Sequence, residues 1–213
     1  MKNKNIQEIL TKRLGFDSKS IEKLNIFHDN ILRFNKKYNI IAKSTEKKIW
    51  SRHILDSAQI VKYINFNNDQ SLADLGSGAG FPGMVLAIFN KNPRFHVKLY
   101  EKSIIKCNFL TKMKNQLKIN VDINSESFTK HEINASYIVS RAFKKLDEIM
   151  RISREIVRVN HRLIVLKGEN AQKEINNLSE GIKDRYELVN SMTNKNSKIL
   201  IVDILKKNWK YNG

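Results

Sequence analysis

Leu72–Gly83, LADLGSGAGFPG, holds four of the chain's eight glycines within eight residues. The run that leads into it, Ser71–Leu75, is short and mostly apolar, and Pro82 suits the first turn of a helix. The stretch therefore predicts a strand, a glycine turn and a helix that begins near Gly83. Bare backbone in such a turn allows a tight bend and close approach by a ligand.

Two spacings are satisfied at once. Gly78, Gly80 and Gly83 fit G-x-G-x-x-G, the dinucleotide fingerprint. Asp74, Gly76, Gly78 and Gly80 fit D-x-G-x-G-x-G, the pattern of class I S-adenosylmethionine (SAM) methyltransferases. The flanks favour the second. A carboxylate at Asp74, ending an otherwise apolar strand, costs desolvation unless it orders the loop or meets a cationic ligand. SAM carries an ammonium and a sulfonium, whereas a pyrophosphate is anionic. Glu101, in KLYEK at the end of the next predicted strand, stands where an acid binds ribose hydroxyls, which suits both readings.

Outward from the loop, apolar runs alternate with helical stretches. Predicted strands are Ser71–Leu75, Phe95–Glu101, Ile119–Asn124, Tyr137–Ser140 and Leu163–Leu166; predicted helices lie near Gly83–Phe89, Ser103–Leu117, Leu146–Val159 and Ala171–Leu178. Repeated strand–helix–strand units imply a parallel sheet. Tyr186–Met192 and Lys198–Lys206, separated by TNKNS, read as an antiparallel pair. The expected fold is α/β: a Rossmann-like, seven-stranded, mostly parallel sheet of the class I SAM methyltransferase type with a terminal antiparallel hairpin. Before it, Leu24, Phe27, Ile31, Phe34 and Tyr38 recur at helical spacing over 17–41, with Asp17 and Ser18 as caps. A second helix is predicted over 46–64, with Trp50, Ile54, Ala58 and Val61 on one side. Residues 1–68 thus form an expected N-terminal helical cap, and 69–213 the SAM-binding domain of one compact unit.

The 213 residues carry 39 Lys and Arg against 21 acids, a net charge of +18. Such an excess suits a polyanionic partner, through counterion release from phosphates. An AT-rich coding bias explains Lys in place of Arg, but not the shortage of acids. The N-terminus, MKNKNIQEIL, has no signal-like apolar run, and no stretch approaches the ~20 apolar residues of a membrane helix. A cytoplasmic protein without a membrane partner is expected, by default a monomer. Cys107 is the single cysteine, and the five histidines show no ligand spacing, so no metal is expected.

RHILDS at 52–57, DLGSGAGFPG at 74–83, SRAF at 140–143 and LKG at 166–168 occur in this order. With FxxxYNI at 34–40 they resemble the bacterial ribosomal RNA small-subunit methyltransferase G family, also called glucose-inhibited division protein B, over nearly the whole chain. The resemblance implies methyl transfer from SAM to N7 of a guanine in 16S ribosomal RNA, with the 30S subunit or its precursor as partner. It also implies cofactor contacts from Gly76 and Phe81, from Ser125 and Glu126 near the adenine, and from Arg141 at the end of the fourth strand. The run Ser125, Glu126, Ser127 departs from the two acids common in relatives, and Ala79 and Phe81 replace the proline and leucine of some of them.

Guanine N7 exposes a lone pair, so its methylation needs positioning and no proton removal. No N/D-P-P-Y run follows the fourth strand, as amino-group methyltransferases often carry, and Cys107 sits mid-helix, away from the strand ends where a cytosine-C5 nucleophile belongs. No catalytic group is assigned; Arg141, His53 and Lys167 are positioning candidates. Arg52 and Asp56 stand at i and i+4, where a helix salt bridge competes with a place at the cleft. Lys167 is within reach of an RNA phosphate or guanine O6, or is simply solvated. The RNA-binding candidates are Lys36, Lys37, Lys43, Lys47, Lys48 and Arg52, beside further basic runs at Lys144–Lys145 with Arg151 and in the tail Lys206–Lys210. The competing functions are SAM-dependent methylation of another RNA, a small molecule or a protein, nucleic-acid binding on an inactive cofactor fold, and nicotinamide-dependent oxidoreduction.

Overall fold

The computed structural model describes residues 3–141, 144–177 and 186–206. Ala142 and Phe143 of the SRAF segment, the expected helix end at Leu178 and the basic tail beyond Lys206 lie outside them. A helix that the sequence reading did not include opens the chain: α1 (Asn3–Leu14) buries Ile6, Leu10 and Leu14, spaced four apart on one stripe. α2 (Ser18–Tyr38) buries Leu24, Phe27 and Ile31 of the expected face, while Phe34 is half-buried and Tyr38 is exposed where the helix ends. The Asp17 carboxylate accepts the Ser20 N–H at 2.7 Å, and Asn39, at φ 48°, ends the helix in the left-handed conformation.

The expected helix over 46–64 is wound unevenly. A 3₁₀ turn (Lys43–Lys48) leads into a π turn (Trp50–Leu55), a single α turn, α3 (Asp56–Ala58), and a second 3₁₀ turn (Gln59–Tyr63). Trp50, Ile54, Ala58 and Val61 are buried, but so are Ile49, Leu55, Ser57, Gln59 and Ile60. The segment is enclosed on more than one side, so tertiary contacts set its winding. One is made by the Gln59 side-chain Oε1, which accepts the Met192 N–H at 2.8 Å.

The strands are β1 (Ser71–Leu75), β2 (His96–Tyr100), β3 (Val121–Asn124), β4 (Tyr137–Arg141), β5 (His161–Lys167), β6 (Tyr186–Asn190) and β7 (Lys198–Ile204). Among the described residues they form one sheet in the order β3-β2-β1-β4-β5-β7-β6. The first five run parallel, and β7 is antiparallel to both β5 and β6. The helices between them are α4 (Gly83–Phe89), α5 (Ile104–Leu117), α6 (Leu146–Ile156) and α7 (Ala171–Asn176). α6 stops short of the expected Val159 because Val157 turns to bridge Ile133.

Both faces of the sheet are covered, as alternation along the strands requires. On β5, Ile164 and Leu166 join the core with α1, α2, α4 and α5, while Leu163 and Val165 join the core with α6 and α7. The chain runs outward from β1 through β2 to β3, then returns to place β4 on the other side of β1. The carboxyl ends of β1 and β4 therefore flank a topological switch point, where ligands bind in sheets of this kind. Among the described residues, no helix is long and apolar enough to cross a membrane.

Candidate active site

The glycine loop is held from three sides. The N–H groups of Gly76 and Ser77 donate to the Tyr100 carbonyl at 2.9 and 3.0 Å, tying the loop to the end of β2. Glu101 accepts the Gly78 N–H through Oε2 and the Ser103 N–H through Oε1, both at 2.8 Å. Asp74, fully buried, accepts the Gly83 N–H through Oδ2 at 2.9 Å and so fixes the start of α4. Burial pushes the Asp74 carboxyl up to about 7. Gly80 sits at φ +100°, and a Cβ there would meet Met84 Cγ at 2.5 Å. The N–H groups of Gly80 and Phe81 both donate to the Ser77 carbonyl.

These bonds separate the two readings of the loop. A pyrophosphate is cradled by free backbone N–H groups, but here the amides of Gly76, Ser77, Gly78, Gly80, Phe81 and Gly83 are all engaged within the protein. Beside the loop lies a cavity of about 450 Å³. Gly76, Gly78 and Glu101 form one edge, Tyr100 and Phe128 give it ring surfaces, and Glu126, Lys102, Lys106 and Lys144 give it charges of both signs. Bare backbone beside a carboxylate suits ribose hydroxyls, ring surfaces suit adenine, and the mixed charge suits a ligand with both a carboxylate and an ammonium. The residues fit SAM. Cys107 lies beneath, its thiol donating to the Glu101 carbonyl at 2.8 Å and its pKa raised by burial and by Glu101. A protonated, hydrogen-bonded thiol is no nucleophile.

A smaller cavity of about 260 Å³ adjoins, and Arg141 borders both. At the end of β4, the Arg141 guanidinium lies 4.9 Å over the Phe81 ring and donates to the Arg52 carbonyl at 3.0 Å. His53 stacks on the same phenylalanine at 4.9 Å, and its Nε2 lies 2.8 Å from the Thr45 hydroxyl. Burial, with Arg141 and Arg52 nearby, lowers the His53 pKa to about 3, so the imidazole is neutral. Asp56 faces Arg141 at 3.9 Å and accepts the Thr193 hydroxyl at 2.8 Å. Burial raises its carboxyl pKa, and Arg141 pulls it back.

The candidates divide by place. Gly76, Gly78, Glu101, Glu126 and Arg141 line the larger cavity. Asp74, Gly80 and Phe81 lie behind it as supports, and Ser125 is exposed on the loop after β3. Arg52, His53, Arg141 and Lys167 border the smaller cavity. The Lys167 ammonium is already engaged, 2.7 Å from Glu174 Oε2 and 2.8 Å from the Lys144 carbonyl. Lys43, Lys47 and Lys48 are exposed on the turn whose Thr45 borders the same cavity, and Lys36 and Lys37 are exposed on the last turn of α2. Sequence reasoning missed Tyr100, Lys102, Phe128 and Thr129, which the rule that ligands sit off strand ends points to. It also missed Ser191 and Thr193, which no local pattern marks.

The comparisons with known proteins agree with this geometry. Residues 20–202 match the family model for GidB, described as rRNA small subunit methyltransferase G. The ribosomal RNA small subunit methyltransferase G of Rickettsia felis is 38% identical over 187 residues, which cover 88% of this chain and 95% of that protein. Its counterpart in Rickettsia prowazekii is 37% identical over 190 residues, 89% of this chain and 97% of that one. Among solved structures, a SAM-dependent methyltransferase from Aquifex aeolicus superposes with a TM-score of 0.58 at 14% identity, covering 81% of this chain and 98% of that one. MtNAS, crystallised with S-adenosylmethionine, gives 0.57 at 13% identity, covering 95% and 84%. These likenesses establish the fold alone, that of a class I methyltransferase. The two bacterial relatives and the match over most of the chain go further: this protein belongs to the rRNA small subunit methyltransferase G family and is a SAM-dependent ribosomal RNA methyltransferase.

Proposed function

We propose that the protein transfers the methyl group of SAM to N7 of a guanine in 16S ribosomal RNA, acting on the 30S subunit or its precursor. The observation that carries this reading is the junction at Arg141, the residue that lines both the larger cavity and the smaller one beside it. When bound, SAM supplies a methyl group on a sulfonium, whose sulfur leaves as a neutral thioether with the C–S electron pair. The protein's task is then alignment. Glu101, with Gly76 and Gly78, holds the ribose end, Glu126 and Phe128 the adenine end, and Arg141 with Phe81 fixes the wall between donor and acceptor. Neutral His53 supports Phe81 by stacking and takes no proton. An N7 acceptor asks for none, since its lone pair is free.

The basic turn bearing Lys43, Lys47, Lys48 and Arg52, with Lys36 and Lys37 one element away, guides RNA phosphates to the rim of the smaller cavity. Residues 1–68 serve as the helical cap and 69–213 as the SAM-binding domain, one compact unit. The core that α1 and α2 share with α4 and α5 supports their being one unit. The protein works as a monomer in the cytoplasm, away from the membrane.

SAM with a labelled methyl group tests the reading. The acceptors are 30S subunits and deproteinised 16S RNA from cells that lack the modification, with DNA as control. Label recovered from 16S RNA as N7-methylguanine is the expected result. Label in another base, or none in any acceptor while SAM still binds, overturns it.

A further inference from the structure

In the wall of the smaller cavity, Asp56 uses one carboxylate oxygen for structure, and among the described residues the other accepts no hydrogen bond. Oδ1 accepts the Thr193 hydroxyl at 2.8 Å and the Gln59 amide at 2.9 Å. Oδ2 faces the Arg141 guanidinium at 3.9 Å, beyond hydrogen-bond length. An ionised carboxylate oxygen in that state retains acceptor capacity. The wall therefore presents an anionic acceptor and, beside it, a cationic donor, both bordering one cavity.

That pair is complementary to one purine edge. Guanine offers, in order around the ring, the N2 amino group and N1–H as donors, then O6 and N7 as acceptors. Adenine reverses the two central groups, with N1 accepting and the N6 amino group donating. Such an edge becomes readable once a base is drawn out of its stack into a pocket. We propose that Asp56 and Arg141 together read the Watson–Crick edge of the target guanine, Asp56 Oδ2 accepting from N1–H and N2–H and Arg141 donating to O6. This rests on the guanine-N7 reading above and assigns the base's place in it. N7 neighbours O6, so a guanine held this way turns N7 to the Arg141 side, and Arg141 is the residue that also borders the cofactor cavity. As N7 takes the methyl group the ring gains a positive charge and N1–H becomes a stronger donor. The contact with Asp56 thereby tightens toward the transition state, which is where it contributes to rate.

The arrangement is built rather than incidental. Thr193 and Ser191, beyond the end of β6, are brought to Asp56 across more than a hundred residues of chain. Gln59 links the two by accepting the Met192 N–H and donating to both Asp56 and Ser191. The Asp56 carboxylate is thus held in orientation from two elements before any base arrives.

The test uses inosine, which keeps N1–H, O6 and N7 and lacks only the N2 amino group. The methylated position is mapped first with the wild-type protein. Small subunits are then reconstituted with 16S RNA carrying guanosine or inosine at that position and offered to wild type and to Asp56→Asn. Wild type is expected to prefer guanosine by roughly 10-fold or more. Asp56→Asn is expected to lose roughly 10- to 100-fold on guanosine, to show no preference between the two bases and to bind SAM as wild type does. Equal wild-type rates on both bases overturn the proposal, as does wild-type preference retained by Asp56→Asn. Should Asp56→Asn fail to fold, the wild-type comparison decides alone. Absence of N7-methylguanine from guanosine-bearing subunits is a distinct result, one that removes the guanine-N7 reading and this proposal with it.

Discussion

Asp74 Oδ2 accepts the N–H of Gly83 at 2.9 Å, joining the end of β1 to the first residue of α4 across the whole glycine loop. The contact is possible only because residue 83 has no side chain. A Cβ there would lie 2.1 Å from Leu99 Cδ2 and 2.7 Å from Asp74 Oδ2. Gly83→Ala should therefore destabilise the fold by about 1–3 kcal/mol through overpacking. That is a fall in melting temperature of about 2–4 °C per kcal/mol in a chain of this size. Thermal unfolding of the two proteins checks it, and an unchanged melting temperature refutes the account of the loop.

The Asp74 carboxyl also predicts a pH signature. Its folded pKa, about 7, stands above the ordinary value of 3.8 because the group is buried. A raised folded pKa contributes stability that is full below the unfolded pKa and is lost as pH rises through the folded one. Wild type should therefore lose stability relative to Asp74→Asn between about pH 4 and pH 7, with no further change above. His53 slopes the other way: its pKa is lowered to about 3, so its contribution is lost as pH falls. Both proteins share that term, and it cancels in the difference. Urea unfolding across this range reads the difference directly, and a flat difference shows that Asp74 is ionised throughout.

Arg141 stands between two cavities, and its loss should be felt in catalysis before affinity. It packs on Phe81 and anchors the Arg52 carbonyl, so it sets the geometry of both walls. Misplacement by about 1 Å is enough to cost about 10²-fold in rate. Arg141→Ala is expected to lower kcat/KM by about that factor, while RNA affinity, proposed to rest on the exposed lysines, falls far less. Filter binding beside steady-state kinetics separates the two. Equal losses would move Arg141 to the RNA side alone.

Glu101 makes a narrower prediction. Its two oxygens hold the N–H groups of Gly78 and Ser103, and it borders the larger cavity, proposed above to hold SAM. Glu101→Gln keeps the shape but exchanges one charged acceptor for an amide donor that faces a backbone N–H. Hydrogen bonds to charged groups are worth about 1.5–3 kcal/mol, so SAM affinity should fall by roughly 10- to 100-fold. Calorimetric titration with SAM measures it, and an affinity within about twofold of wild type removes Glu101 from the cofactor site.

What the sequence made legible follows from how local each signal is. The loop from Asp74 to Gly83 declares itself because turn, strand end and helix start are all encoded within ten residues. Glu101 follows from it by the strand–helix–strand spacing. α1 was legible too, in Ile6, Leu10 and Leu14, yet a run so rich in Lys and Asn hides a stripe of one residue per turn. The winding of 46–64 was not legible, because enclosure on several sides overrides periodicity there. Nor was the grip of Thr193 on Asp56, since it joins residues 137 apart and exists only once the sheet is assembled. For Lys167 the residue type pointed to an RNA contact, but its partner, Glu174, lies on the following helix and engages the charge inside the protein.

The charge of +18 makes the last prediction, and it concerns the route of the RNA rather than the chemistry. Each phosphate contact contributes about 0.7–0.9 to the slope of log affinity against log salt. Lys47 and Lys48 are exposed on the turn whose Thr45 borders the smaller cavity. If both contact phosphate, replacing them with Gln should reduce that slope by about 1.4–1.8 and weaken RNA binding, with SAM affinity and melting temperature unchanged. Lys36 and Lys37, on the last turn of α2, give a second pair for the same measurement. A reduced slope for the first pair alone places the RNA path over the turn, and a reduced slope for the second alone moves it to α2. An unchanged slope for both sends the phosphate contacts to another basic run, with Lys144, Lys145 and Arg151 the next to replace.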